Sequence, residues 1–418
     1  MKLKSLWLVG AASAAMILTA SAVQAGSASA SNSAATDQAL AQANQRLDDV
    51  NSRLDALESE LQSAETRAAA DHDASTATAN SILGAWWNNT SINGRMYWDF
   101  SYVDQEVNHT RTGTTNGTAF DIKRFYVGID HKFNDVFSAN VTTDFTFDSS
   151  SGVNQVFIKK AYLQAKVSDA LVFKVGSTDM PWIPFMEDIY GYRYVENTLT
   201  DRLKDANSAD WGAHVSGKLY DGMLNYAVSV VNGAGYKKAN IFRTNGPDVE
   251  GRLDLDVDHF IVGIGGYTGK FGQQFGTALH HSFTRGDAVA AYVMPDFRIG
   301  VEYFAGNNVS SVTSATQTDT ESGVSGFGAW TFMPEWSVFG RYDWATKHLH
   351  QVAATPDMPN DYYNVGIEWN PIKIVDFSLV YKHEDESGNY ATSNIGAGAT
   401  MATKTNYNEV GIFGQLRW

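Results

Sequence analysis

Apolar and polar residues alternate strictly over long stretches of this chain. In residues 92–102 the even-numbered positions are apolar, aromatic or glycine, whereas the odd-numbered positions are mostly polar or charged. The same pattern recurs in residues 137–147, 336–344 and 410–418. A period of two over roughly ten residues predicts a tilted β-strand that crosses a membrane, with one face toward lipid and the other toward a polar interior.

Short turns and longer polar connections separate these segments in regular alternation. Seven short turns are predicted at residues 132–135, 167–170, 220–222, 256–258, 294–296, 333–335 and 370–372. The largest connections between them are residues 104–118, 179–207, 232–247, 306–321, 346–361 and 384–404. Seven turns and eight loops predict an all-β fold, a 16-stranded antiparallel transmembrane β-barrel. A barrel of this size leaves a water-filled channel, whereas an eight-stranded barrel is filled by its own side chains.

Residues 37–70 carry a different, helical period. Apolar residues spaced by three and four predict a short coiled coil in the periplasm, and a single amphipathic helix lying on the barrel is the alternative. The two core positions hold Leu40, Leu47, Leu54 and Leu61, and Ala43, Val50, Leu57 and Ala64. We expect a flexible leader at residues 26–36, a linker at 71–90 and the barrel at 91–418.

The N-terminus predicts export. Lys2 and Lys4 precede an apolar run at residues 6–20, and small residues follow at 23–25, which is typical of a secretory signal peptide over residues 1–25. An uncleaved anchor is the alternative, although the run is short for a membrane span. Cleavage would remove two lysines and take the net charge from −15 to −17. The absence of cysteine excludes disulfides, lipid attachment through a thiol and thiolate metal sites.

Several fragments resemble the phosphate-selective porins O and P and their relatives. They are residues 92–95 (INGR), 123–129 (KRFYVGI), 159–163 (KKAYL) and 173–177 (FKVGS). The resemblance implies a homotrimeric sixteen-stranded channel in the outer-membrane lipids of a Gram-negative bacterium, with its third loop folded inward. The helical segment lies outside the compact core of that family, and is similar to the coiled-coil extensions of some sugar porins.

Alternation places eight basic side chains on the polar face of the strands, toward the lumen. They are Arg95, Arg124, Lys160, Lys166, Lys174, Lys218, Arg341 and Lys382. Bases along the bore would attract anions, because charged rings and pore width set the selectivity of a channel. The alternative is that each base pairs with a nearby lumen acid, such as Asp99, Asp130, Asp144 or Glu368.

The connection at residues 179–206 is long, and long loops in compact structures are usually functional. It follows the fifth strand, where the resemblance implies the constriction of the channel. A solvated external loop is the alternative. The candidate constriction residues are Trp182, Phe185, Glu187, Asp188, Tyr190, Tyr192, Arg193, Tyr194 and Arg202.

These patterns favour a passive diffusion channel for small hydrophilic solutes, and the resemblance adds a preference for small anions such as phosphate. The aromatics of residues 179–206 motivate an alternative channel for sugars or aromatic acids. A structural protein whose coil contacts peptidoglycan is another alternative. No histidine or serine spacing suggests an enzyme, so we predict no catalytic residue, metal ligand or cofactor, and the acidic balance disfavours nucleic acid.

Overall fold

The computed structural model describes residues 33–111, 116–148, 153–237, 246–273, 281–312, 314, 316–350, 357–388, 390–396 and 403–418. The predicted signal peptide and most of the predicted leader therefore lie outside the described residues. The chain divides into two compact units, and the boundary falls between Ala85 and Trp86.

One long helix, α1, spans Ser33–Asn88, and its residues 33–85 make up the described part of the first unit. Its heptad leucines are exposed, with fractions from 44% at Leu54 to 63% at Leu61. The helix continues through the segment that we expected to be a linker. Residues 66–83 contain six alanines and neither glycine nor proline, so no residue there ends the helix. Among the described residues, no helix is both long and apolar enough to cross a membrane.

The second unit is a closed antiparallel β-barrel of sixteen strands, as the sequence predicted. Each strand pairs with the next, and β1 also pairs with β16 to close the barrel. A further two-residue strand, Thr110–Arg111, pairs back onto β1 in the first loop. The sixteen strands are β1 Thr90–Val107, β2 Gly117–Lys132, β3 Phe137–Asp148, β4 Val153–Ser168, β5 Leu171–Asp179, β6 Ala209–Leu219, β7 Leu224–Val231, β8 Asp248–Val257, β9 Phe260–Gly269, β10 Phe283–Val293, β11 Phe297–Asn307, β12 Thr318–Met333, β13 Trp336–His350, β14 Met358–Ile372, β15 Val375–Ser387 and β16 Lys404–Arg417.

Eight loops, L1 to L8 in chain order, join the strands at one end of the barrel, and seven short turns join them at the other end. Six turns lie within two residues of their predicted positions. The seventh is wrong by a few residues, because β14 continues to Ile372. Pro371 has no backbone N–H to donate, so the pairing skips it and resumes between Ile372 and Val375.

The two faces of the strands differ as the alternation predicted. On β13, Val338, Tyr342 and Trp344 point outward and are exposed, whereas Arg341 and Asp343 point into the barrel and are buried. An apolar outer surface therefore surrounds a polar interior.

Two β-bulges break this alternation. The pairing of β2 with β1 steps from Arg124 to Ile122, which leaves Lys123 as an extra residue. The pairing of β4 with β3 steps from Lys160 to Ile158, which leaves Lys159 as an extra residue. A bulge turns two successive side chains toward the same face. Both members of each basic pair consequently face the lumen, where strict alternation predicted only one.

L3, residues 180–208, folds into the barrel, in agreement with the family resemblance. It contains two helices, α2 at Ile183–Tyr190 and α3 at Leu199–Arg202. Gly191 ends α2 with a φ of 81°, a left-handed conformation that glycine adopts without strain.

Candidate functional site

Buried ion pairs hold L3 against the barrel wall. Arg202, which is not exposed at all, donates to Asp343 on β13 at 2.9 Å and to Glu384 on β15 at 2.7 Å. Asn360 on β14 accepts a third hydrogen bond at 2.9 Å. Because buried charges without partners are costly, this cluster favours one position of α3.

Aromatic side chains of L3 contact the same half of the wall. Nε1 of Trp182 donates to Glu302 at 3.0 Å, and the hydroxyls of Tyr192 and Tyr194 donate to Glu368 at 3.1 and 2.8 Å. All three aromatic side chains are buried. They therefore fix the loop and do not line open space.

Inward-facing glycines on β9 leave room for α2. A Cβ atom on Gly265 would lie 2.6 Å from the ring of Trp182, and one on Gly263 would lie 3.0 Å from the ring of Phe185. These distances are too short for an unchanged structure, so α2 packs on the wall only because both positions lack side chains.

The open space between L3 and the opposite half of the wall includes four adjoining cavities. The loop-side cavity has about 470 Å³, the central cavity about 550 Å³, the lateral cavity about 250 Å³ and the turn-side cavity about 640 Å³. Lys159 and Arg193 line both the loop-side and the central cavity. Asp179 and Asp188 line both the central and the lateral cavity, and Lys174 lines both the lateral and the turn-side cavity.

Six of the eight predicted lumen bases line these cavities. They are Arg95, Arg124, Lys160, Lys166, Lys174 and Lys218. The other two lie behind L3. Arg341 pairs with Asp343 at 2.6 Å, and Lys382 pairs with Glu409 at 3.1 Å and with Glu196 of L3 at 3.5 Å. Arg341 and Lys382 thus support the loop, and neither lines any of these four cavities.

Carboxylates neutralise some of the cavity-lining bases. Lys160 pairs with Asp179 at 2.5 Å and Lys166 with Asp169 at 2.6 Å, while Arg124 lies 3.9 Å from Asp144. In the described part of the chain, Arg95, Lys174 and Lys218 have no carboxylate oxygen within 4.0 Å. The predicted alternative of ion pairing therefore applies to some of the bases and not to others.

The candidate constriction residues fall into two groups, those that line cavities and those that pack on the wall. Phe185, Glu187, Asp188 and Arg193 line cavities. The other five pack on the wall and line none of these cavities: Trp182, Tyr190, Tyr192, Tyr194 and Arg202. Arg193 pairs with Glu187 at 2.7 Å and with Asp201 at 3.3 Å, so the edge of L3 presents mixed charge.

Among the lumen bases that the sequence analysis missed are Lys123, Lys159 and Lys237. Lys123 pairs with Asp99 at 3.1 Å, and the other two line the loop-side cavity. The sequence does contain a signal for Lys123 and Lys159, because each is adjacent to a second basic residue in the same strand. One of two adjacent bases would face lipid in a regular strand, which costs about 2–4 kcal/mol near the bilayer midplane, so adjacency itself favours a bulge.

Two carboxyl groups of L3 have opposite pKa shifts. Burial acts to raise the pKa of Glu196, but the ammonium groups of Lys382 and Lys123 outweigh it and hold that pKa below its ordinary range. Burial raises the pKa of Asp201, and Glu187 adds to this effect although Arg193 opposes it. Glu196 is therefore a charged contact of L3, and Asp201 accepts a proton more readily than an ordinary aspartate.

Solved structures with the same fold are outer-membrane proteins. The in-vitro folded OmpT of Vibrio cholerae, in its trimer form, has a TM-score of 0.53 and 12% identity, and the match covers 79% of this chain and 99% of that chain. An anion-selective porin from Comamonas acidovorans has a TM-score of 0.54 and 10% identity, with 79% and 99% covered. OmpF of Salmonella typhi, in complex with daunomycin, has a TM-score of 0.52 and 11% identity, with 78% and 97% covered.

These low identities show likeness of fold alone. No protein-family model matches the sequence, and no curated protein matches it significantly.

Proposed function

We propose that this protein is an outer-membrane porin, a passive channel for small hydrophilic solutes that prefers anions, with phosphate among them. The loop-side cavity carries this proposal. It is lined by five bases, Arg124, Lys159, Arg193, Lys204 and Lys237, against one acid, Asp201. A solute that enters from the loop end thus meets a positive field before it reaches the narrow passage between L3 and the wall.

The apolar outer surface supports a location in lipid, since a closed barrel leaves no backbone group of its strands unpaired there. The predicted signal peptide supports export. We place the turns and α1 in the periplasm, because tight turns face that side in bacterial barrels. The trimer form of the V. cholerae neighbour supports a homotrimer.

The channel for sugars or aromatic acids loses its main support. It relied on the aromatics of L3, and Trp182, Tyr190, Tyr192 and Tyr194 are 0–6% exposed and pack on the wall. These four offer a passing sugar no stacking surface, and of the candidate aromatics of L3 only Phe185 lines any of the four cavities.

A tethering role for α1 remains a second candidate. A helix of 56 residues is about 84 Å long, which is sufficient to extend well beyond a membrane. Removing residues 36–78 tests it, since a tether mutant would shed membrane vesicles while the conductance of the barrel stays normal.

The reversal potential of the purified protein in a planar bilayer under a salt gradient tests the anion preference. We expect a reversal potential whose sign indicates that anions are more permeant than cations. We also expect millimolar phosphate to block the chloride current. A reversal potential whose sign indicates cation permeation would overturn the proposed anion preference. Absence of conductance would overturn the proposed channel function.

A further inference from the structure

The lysines of the lumen are held in two different ways. Some pair with carboxylates, as Lys160 does with Asp179 at 2.5 Å and Lys123 with Asp99 at 3.1 Å, although Lys123 also lies 5.2 Å from the ring centroid of Phe413. Others lie against aromatic rings and form no ion pair with a described carboxylate. Lys159 is 4.5 Å from the ring centroid of Tyr126 and 5.7 Å from that of Tyr236.

Two further lysines share this arrangement. Lys174 lies 4.7 Å from the ring centroid of Tyr162, and Lys237 lies 5.1 Å from that of Phe157. Among the described residues, none of the three ring-held lysines, Lys159, Lys174 and Lys237, has a carboxylate oxygen within 4.0 Å. Within the described part of the chain, Lys204 and Lys218 also have no carboxylate oxygen within 4.0 Å, but neither of them lies over an aromatic ring.

The two arrangements differ in the charge that a solute meets. A carboxylate fixes a lysine and cancels its charge at the same time. An aromatic face attracts an ammonium through its quadrupole, and adds no net charge. A ring-held lysine therefore keeps a fixed position and its full positive charge. Lys159 is only 8% exposed, so water screens it little and its field extends into the cavities beside it.

The ring-held lysines are spaced along the open half of the barrel. Lys237 lines the loop-side cavity, and Lys159 lines that cavity and the central one. Lys174 lines the lateral and the turn-side cavity. Each of the four cavities thus has at least one such charge, and the loop-side cavity has two.

A bulge provides the middle charge. Because Lys159 is the extra residue of β4, it faces the lumen together with Lys160. Its Nζ donates to the hydroxyl of Tyr126 at 3.2 Å, while Lys160 takes the carboxylate of Asp179.

We propose that Lys237, Lys159 and Lys174 are the successive attraction points for anions in this channel, and that Tyr126 and Tyr236 position the middle one by holding it away from carboxylates. This inference rests on the proposed anion preference, and names the residues that produce it. The lysines that are paired with carboxylates act as neutral pairs, and shape the channel without attracting anions.

The test compares reversal potentials of variants in a potassium chloride gradient, after circular dichroism has shown an intact barrel. Lys159→Gln should lower the permeability ratio of chloride to potassium about threefold, as expected for removal of one weakly screened unit charge. The matched control is the double variant Lys160→Gln with Asp179→Asn, which removes a neutral pair from the same strand region. Its ratio should remain that of the wild type.

The role of the aromatic rings is tested with variants of Tyr126 that leave the net charge of the protein unchanged. Tyr126→Leu should lower the ratio, because Lys159 is then free to turn toward Glu187 or Asp179. Tyr126→Phe keeps the ring, loses only the hydroxyl, and should restore the wild-type ratio.

Equal ratios for wild type and Lys159→Gln would overturn the inference, as would equal ratios for the leucine and phenylalanine variants. Failure of the proposed function is a separate result, since it would show as cation preference of the wild-type protein.

Discussion

Arg202 in L3 and Asp343 on the barrel wall share a hydrogen bond of 2.9 Å, and neither side chain is exposed to solvent. A second carboxylate, Glu384, accepts from the same guanidinium. Both acids belong to the wall and the arginine belongs to the loop. Arg202 is therefore one of several contacts that hold L3 against the wall, beside those made by Trp182 and Glu196.

Replacing Arg202 with methionine should release this end of L3. The change leaves Glu384 with amide partners alone, and breaking a buried ion pair typically costs about 3–5 kcal/mol. We expect a lower midpoint of thermal unfolding, noisier single-channel currents and cleavage of L3 by trypsin after Lys204. Arg111→Gln breaks an exposed pair with Asp104 in the same barrel, and should leave the midpoint of thermal unfolding almost unchanged. If L3 of the methionine variant resists trypsin as the wild type does, Arg202 does not hold the loop.

Gly265→Ala should displace α2 from the wall. The new Cβ would lie 2.6 Å from the ring of Trp182, so the ring and the start of the helix must move into the channel. We expect altered single-channel conductance in planar bilayers. The neighbouring Gly266 faces outward, and a Cβ there would meet only the carbonyl oxygen of Arg285 at an ordinary 3.5 Å. Gly266→Ala should therefore conduct as the wild type, and similar conductance of the two variants would contradict the packing role of Gly265.

The anion preference should rise as the pH falls from 7 into the range in which Asp201 binds a proton. Burial raises the pKa of Asp201, so this carboxyl binds a proton at a higher pH than an ordinary aspartate. Its protonation removes the acid of the loop-side cavity and leaves the five bases charged. Asp201→Asn should show the higher preference already at pH 7 and a flatter pH profile. The control is Asp135→Asn, because Lys132 lowers the pKa of this exposed turn residue. An unchanged pH profile in Asp201→Asn would exclude Asp201 as the titrating group.

The apolar seam of α1 should pair between copies of this chain. Leu54 belongs to the predicted seam and is 44% exposed, whereas Ser59 lies at the opposite heptad position. Since the chain has no cysteine, Leu54→Cys introduces a single thiol. On oxidation we expect disulfide-linked pairs of Leu54→Cys on non-reducing gels, and little linkage of Ser59→Cys. Equal linkage of the two variants would indicate random collision and no coiled coil.

The sequence by itself determined the strands, their number and the direction of most side chains. A period of two is a local property, and apolar side chains such as Val338 and Tyr342 can be assigned to the outer face without knowledge of the partner strand. The seam of α1 is visible for the same reason. Turn positions followed as well, except near Pro371, where a missing donor shifted the pairing.

The tertiary structure alone decided what each lumen charge does. Lys159 and Lys160 are adjacent and chemically identical, yet one lies against aromatic rings and the other pairs with Asp179. Tyr236 and Asp179 come from different strands or loops, and only closure of the barrel brings them to these lysines. Likewise, L3 packs on one half of the wall because glycines of β9 and acids of β13 and β15 receive it there. Such contacts join residues far apart in sequence, so no local pattern encodes them.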